Sequence, residues 1–243
     1  MFKIGIAGCN GRMGKLLMEE ASAAADMELT GGCDRDSEMT AEQLFDASDI
    51  VIDFTSPEAS LHHAEIAAKT GKALLIGTTG MSPEQIATLK ELAKTAPILL
   101  SANTSLGVNL LIQLTKKVSA ILGNEYAIEI FEAHHKHKVD APSGTALAIG
   151  RAAAEGRGID FETHKSIDRN GARQADDIGF SVARGGDVVG EHTVYFYGEG
   201  ERLELTHRAT DRKLFAKGAI ATARWLVTQK PGFYTMDDFL EIF

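Results

Sequence analysis

The sequence predicts an α/β fold in two units: a doubly wound parallel sheet, and an inserted α+β domain containing a mixed or antiparallel sheet. Three observations carry that prediction. Short apolar runs alternate with helical stretches five times over roughly the first hundred residues, as where parallel strands are joined by helical crossovers. A glycine-rich turn closes the first of those runs. From Ile178 onward, strand-like runs follow one another across glycine turns with no helix between them.

The elements follow in order. Phe2 to Ala7 is a short buried strand, and Leu16, Leu17 and Ala21 recur at helical spacing between Met13 and Ala25. Met27 to Cys33 is a second strand. Asp49 to Phe54 is a third, almost wholly apolar, as befits a central strand covered on both faces. Ser56 suits an N-cap, Pro57 the first helical position and Gly71 the end of the next helix. The pattern then repeats with strand Ala73 to Ile76, loop Gly77 to Gly80, and a helix opened by Ser82-Pro83-Glu84 and running to about Thr95. Ile98 to Ser101 is a fifth strand. A long helical stretch after Ser105 leads to a strand at Tyr126 to Ala133 and a helix capped by Ser143 and running through Ala154. Ile178 to Ala183, His192 to Tyr197 and Leu203 to His207 are strands, and Lys213 to Thr228 is helical. The expected division is residues 1–105 with 215–243 for the first domain, and 106–214 for the second.

Composition narrows the function. The chain has 243 residues, 44% hydrophobic and 24% charged, enough apolar material for a sizeable core. Its net charge of −9 disfavours a broad nucleic-acid-binding face. No apolar run approaches the ~18–20 residues of a membrane span, and the first residues lack a signal-peptide pattern. The expectation is a cytoplasmic protein with neither nucleic-acid nor membrane partners. Cys9 and Cys33 are too few for a disulfide framework or a four-thiolate zinc site.

Gly8-Cys9-Asn10-Gly11-Arg12-Met13-Gly14 joins the first strand to the first helix with G-x-x-G-x-x-G spacing, a variant of the dinucleotide fingerprint. Gly8 permits the tight turn, Gly11 lets backbone approach a pyrophosphate, and Gly14 allows helix and strand to pack closely. Asp34 closes the second strand where a ribose-binding carboxylate belongs. Arg35 beside it, and Arg12 in the loop, suit a 2′-phosphate, so NADH and NADPH are both expected; both arginines are equally compatible with solvated surface charge. Gly77-Thr78-Thr79-Gly80 and Ser101-Ala102-Asn103-Thr104 end the fourth and fifth strands, where such sheets bind ligands, although each could be an ordinary turn.

Glu132-Ala133-His134-His135-Lys136-His137-Lys138-Val139-Asp140-Ala141-Pro142-Ser143-Gly144-Thr145 carries the strongest chemical signal. Its histidines and lysines form a basic knot in an acidic chain, suited to an anionic substrate and able to donate protons. The helix opening at Ser143 adds backbone donors for a carboxylate. Zinc binding competes as a reading because of the histidines, but the adjacent lysines repel a cation and no distant Cys/His cluster matches, so no metal is expected. A solvated surface turn is the other alternative.

At these residues the sequence resembles the 4-hydroxy-tetrahydrodipicolinate reductases (dihydrodipicolinate reductases) of diaminopimelate and lysine biosynthesis, over essentially the whole chain. The resemblance implies a Rossmann-like domain completed by the last helix, and an inserted domain whose sheet builds a homotetramer. It implies hydride transfer from NADH or NADPH to a cyclic dicarboxylate with loss of water. His134 and Lys138 match the family's acid/base histidine and proton-donating lysine. His135, Lys138, Gly144 and Thr145 match positions that hold the substrate. Gly8, Cys9, Asn10, Gly11, Arg12, Met13, Asp34, Arg35, Gly77, Thr78, Thr79, Ser101, Ala102, Asn103 and Thr104 match the cofactor contacts. Thr104 departs from the larger apolar residue that family members often carry beside the nicotinamide. Two other classes stay open on the residues alone: another nicotinamide oxidoreductase, and a non-catalytic redox sensor.

Overall fold

A computed structural model describes residues 1–241. The chain forms two compact units, Met1–Leu106 with the segment from Lys213 onward, and Gly107–Arg212. The first contains β1 (Phe2–Ala7), α1 (Arg12–Ala23), β2 (Met27–Cys33), α2 (Ala41–Ala47), β3 (Ile50–Asp53), α3 (Pro57–Thr70), β4 (Ala73–Ile76), α4 (Pro83–Leu92) and β5 (Pro97–Leu100). The second contains α5, which starts in the first unit (Leu106–Leu122), β6 (Ala127–His134), α6 (Gly144–Arg157), α7 (Phe161–His164), β7 (Lys165–Ile167), β8 (Ile178–Arg184), β9 (Gly190–Tyr197) and β10 (Arg202–Ala209). The chain then returns to the first unit through α8 (Lys213–Leu226), β11 (Gly232–Tyr234) and α9 (Met236–Leu240).

The first unit is a parallel sheet in the order β11-β5-β4-β3-β1-β2. Its strands are short and apolar because helices cover both faces. Ile4, Ile6, Ile50, Ile52, Leu75 and Leu99 pack on one side with Leu17 of α1 and Ala219 and Ala223 of α8. Val51, Leu74, Ile76 and Ile98 pack on the other with Leu44, Phe45, Ala64 and Leu89. Ser56 Oγ accepts the Ala59 N–H, and Ser82 and Gln85 form a reciprocal capping box, so α3 and α4 start where the sequence signals place them.

Three elements of this unit escape the sequence reading: α2, β11 and the short α9. α2 is announced by a Thr40–Gln43 capping box, with Leu44 and Phe45 fully buried behind it. β11 is three residues long and pairs with Pro97, Ile98 and Leu99, so the sheet has six strands rather than five.

The second unit is a mixed sheet ordered β10-β9-β6-β8-β7: β6 pairs antiparallel with β9 and parallel with β8. One face packs Ile128, Ile130, Ile178, Val194 and Phe196 against Leu111, Ile149 and Ala153. Val194, Tyr195, Phe196 and Tyr197 divide between the two faces of the sheet. Strand alternation separates them: Val194 and Phe196 are core, while Tyr195 and Tyr197 stack together at 5.6 Å.

Candidate functional site

The glycine turn has the shape its spacing predicts. Gly8 adopts φ +81°, the left-handed region that disfavours a side chain. A Cβ on Gly14 would lie 2.0 Å from the Gly8 carbonyl oxygen, so only glycine lets α1 approach the turn this closely. The turn sits at the carboxyl end of β1, between β2 and β3, where strand order reverses and such sheets bind ligands. Gly8, Gly11, Asp34 and Arg35 line one cavity of about 500 Å³ with Ser37, Thr55 and His63. Asp34 is anchored by the Asn10 N–H at 3.0 Å and the Arg35 N–H at 2.8 Å, which fixes its carboxylate beside the turn. A cradle that a single Cβ would fill, next to an oriented carboxylate, fits a dinucleotide.

Other predicted cofactor residues fall elsewhere in this unit. Arg12 is exposed and outside that cavity's wall; Gly77, Thr78 and Thr79 at the end of β4 and Ser101 to Thr104 at the end of β5 also lie outside it, with Gly77, Thr78, Ser101 and Thr104 buried. Two threonine side chains have internal duties. Thr78 Oγ1 donates to Asp53 at 3.2 Å, and Thr104, only 2% exposed, donates to the Phe215 carbonyl at 2.8 Å. The Thr104 side chain is therefore a tie to α8, and its main chain is what remains for a cofactor. Ser101 and Asn103 brace their own loop, through Ser101 Oγ to the Asn103 carbonyl and the Ser105 N–H to Asn103 Oδ1. Cys33 is buried and Cys9 half-buried; burial first, then the charges of Asp34 and Cys33, push the Cys9 thiol up.

Behind the cavity lies a pair that sequence reasoning missed. Asp53, wholly buried at the end of β3, meets His63 Nδ1 of α3 at 2.9 Å. Burial alone would push the imidazole down. Contacts with the Asp53 and Cys33 side chains outweigh it and lift His63 to about 9, so it is a cation at neutral pH.

In the second unit the basic segment is organised by Glu132. Glu132 and His134 lie two residues apart on β6, hence on one face. Glu132 Oε2 accepts from His134 Nδ1 at 2.6 Å and from Arg184 Nη1 at 2.7 Å; Oε1 accepts from Arg184 Nη2 at 2.7 Å and the Ser143 N–H at 2.9 Å. Burial would raise this carboxyl, but the bonds from His134, Arg184 and Ser143 overcome it and hold it at about 2. The carboxylate is then acceptor only, so His134 Nδ1 carries the hydrogen and Nε2 is the nitrogen available for proton exchange.

Around this pair stand the remaining candidates. Lys138 Nζ pairs with Asp140 at 2.8 Å, and His135 Nε2 lies 3.4 Å from Arg212. Partial burial, followed by the charge of Arg212, holds His135 below its ordinary value. Ser143 Oγ accepts the Ala146 N–H at 3.1 Å and caps α6, presenting Gly144 and Thr145 in its first turn. His192 packs edge-on against His134 with ring centres 5.1 Å apart, and burial pushes it down to about 4. Among the described residues no three of His, Cys, Asp and Glu are gathered to hold a metal ion.

Arg184, His192, Asp53 and His63 carried no signal that their sequence surroundings could supply. Glu132 did, through its two-residue spacing from His134.

A switch-point glycine turn with an oriented carboxylate, and a second unit holding a carboxylate-oriented histidine among cations, define a nicotinamide-dinucleotide oxidoreductase. Comparison with known proteins narrows the class. Residues 2–104 match the family model for the N-terminus of dihydrodipicolinate reductase, and residues 107–240 the model for its C-terminus. The chain is 44% identical to 4-hydroxy-tetrahydrodipicolinate reductase from Pseudoalteromonas translucida, covering 99% of this chain and 98% of that one. It is 47% identical to the enzyme of the same name from Zymomonas mobilis, covering 98% and 96%. The fold superposes with TM-score 0.82 on dipicolinate-bound dihydrodipicolinate reductase from Paenisporosarcina sp. TG-14, at 23% identity and 97% coverage of both chains. The chain belongs to the dihydrodipicolinate reductase family.

Proposed function

We propose that this chain is an NAD(P)H-dependent reductase that converts 4-hydroxy-tetrahydrodipicolinate to tetrahydrodipicolinate with loss of water, in diaminopimelate and lysine biosynthesis. The observation that carries this reading is the buried Glu132–His134 pair, set at the strand end where Lys138 and Arg212 collect positive charge beside His135.

A bound nicotinamide supplies the hydride. Gly8, Gly11 and Gly14 let backbone approach the dinucleotide, Asp34 orients its ribose, and Arg35 offers charge to a 2′-phosphate. Once the ring hydroxyl has left as water, hydride arrival at the unsaturated ring leaves an electron-rich conjugated nitrogen system that must take a proton. His134 holds that proton on Nε2, with Glu132 fixing the ring, and Lys138 is the second donor. His135 and the first turn of α6 at Gly144 and Thr145 hold the two carboxylates. A substrate anion also offers Lys138 an alternative to Asp140. The test couples this protein to the synthase that makes its substrate from pyruvate and aspartate semialdehyde, and follows NADH or NADPH loss. Absence of synthase-dependent oxidation overturns the reading.

The open face of the second sheet supports a homotetramer. Tyr195, Tyr197, Phe131 and Ala127 line a shallow cavity of about 540 Å³ with Arg169 and Arg173. An apolar and aromatic sheet face of this kind is usually covered. Light scattering at working concentration should give four times the 26.1 kDa chain mass, and a monomer mass contradicts the assignment. Two free cysteines suit the reducing cytoplasm.

A further inference from the structure

The four donors on Glu132 leave its carboxylate no freedom to turn, and two of them come from one residue far away in sequence. Arg184 is the last residue of β8, and parallel pairing sets it directly opposite His134. Its guanidinium grips both Glu132 oxygens at 2.7 Å, and the same Nη2 also donates to the Asp140 carbonyl at 2.6 Å. That carbonyl belongs to the segment whose Asp140 side chain holds Lys138. One planar fork thus connects the orienter of His134 with the loop that carries Lys138.

We propose that Arg184 is a positioning residue for proton delivery: through Glu132 it fixes the His134 ring, and through Asp140 it fixes the segment bearing Lys138. A second feature points the same way. Gly190, at the start of β9, keeps space open beside the ring: a Cβ there would lie 3.0 Å from His134 Nε2. The strand on one side holds the ring from behind, and the strand on the other leaves its working nitrogen clear.

The fork is essential to this role, and charge alone does not supply it. A lysine ammonium is a point charge, whereas guanidinium is planar and bonds two carboxylate oxygens in parallel. Arg184→Lys therefore separates position from charge, and Arg184→Met removes both. The groups facing Glu132 and His134 are Arg184 from β8, His192 from β9 and the Ser143 N–H at the start of α6, while His207 from β10 and Lys138 from the loop act on His192 behind them. Of these, Arg184 is the strongest permanent cation on Glu132. Without it, burial pushes the Glu132 carboxyl up from about 2, and the acid limb of activity should move to higher pH.

The kinetic arm rests on the reductase reading; a spectroscopic arm does not. In full-length protein, nitrogen NMR of His134 should show the hydrogen on Nδ1, and a mixture of tautomers in Arg184→Met. In Arg184→Lys, kcat should fall about 10²-fold with KM and NADH affinity little changed, the cost of a misplaced reacting group. Arg184→Met should add the upward shift of the acid limb. A tautomer unmoved in both variants, or kcat within about twofold of the parent in Arg184→Lys, overturns the proposal. So does a variant whose kcat, NADH affinity and melting temperature all fall together while KM rises, because that is the signature of a merely structural residue. If Arg184→Met does not fold, Arg184→Lys alone decides. Absence of turnover in the parent protein would sink the reductase reading while leaving the tautomer measurement to judge Arg184.

Discussion

Each unit buries one carboxylate against one histidine, and the two pairs are built to opposite ends. Asp53 and His63 meet at 2.9 Å, Glu132 and His134 at 2.6 Å. The rest of the Asp53 shell is neutral: the Thr55 hydroxyl at 2.6 Å and the Thr78 hydroxyl at 3.2 Å. His63 is then the nearest counter-ion, and the field of Asp53 keeps it charged. Glu132 has a guanidinium as a permanent partner, so His134 can give up a proton without stranding a buried anion. A histidine that must neutralise its carboxylate is held in its charged form. One relieved of that duty by an arginine can do chemistry.

The comparison breaks most readily at His134. His134→Gln keeps size and hydrogen bonding but removes the acid, so kcat should fall by about 10²–10⁴-fold with NADH affinity nearly unchanged. Steady-state kinetics with cofactor titration checks this, and near-normal kcat would make His134 as structural as His63. His63→Ala should act on stability instead. It leaves Asp53 buried without its cation, at a cost of about 3–5 kcal/mol in denaturant unfolding. A loss below about 1 kcal/mol would show that the threonine hydroxyls suffice for Asp53.

The pairs should also fail at opposite ends of the pH scale. His63 is raised in the folded state, so its stabilisation is complete below about 6.5 and fades as pH rises through about 9. Glu132 is depressed, so its contribution is present above about 4.5 and fades as pH falls through about 2. Melting curves should therefore lose stability between pH 7 and 10 in the parent protein, and less so in His63→Gln. Identical alkaline slopes would remove His63 from the account. The smallest effect belongs to the rim of the first unit. Replacing Arg12 and Arg35 by Ala should weaken NADPH more than NADH, and most of that difference should come from Arg35, which lines the cavity while Arg12 does not. Equal losses for both cofactors would return these arginines to the solvated surface.

What could be seen in the sequence was short-range. The Gly8–Gly14 turn, the caps at Ser56, Ser82 and Ser143, and the apolar central strands are each complete within a dozen residues, because turn sterics, cap bonds and strand burial are local rules. The Thr40–Gln43 capping box that opens α2 is equally local. β11 was beyond reach: three residues have no period, and only pairing with β5 makes them a strand.

The site divides along the same line. The sequence by itself determined that a nucleotide turn and a basic, histidine-rich strand end exist, with Glu132 two residues from His134. Tertiary structure alone decided which carboxylate–histidine pair receives a permanent cation. His63 and His134 differ through Thr55, Thr78 and Arg184, and Arg184 stands 52 residues from Glu132. Sequence spacing within β6 places a carboxylate beside an imidazole; only the parallel register with β8 brings a guanidinium to share it, because strand pairing sets neighbours that the chain's own periodicity does not encode.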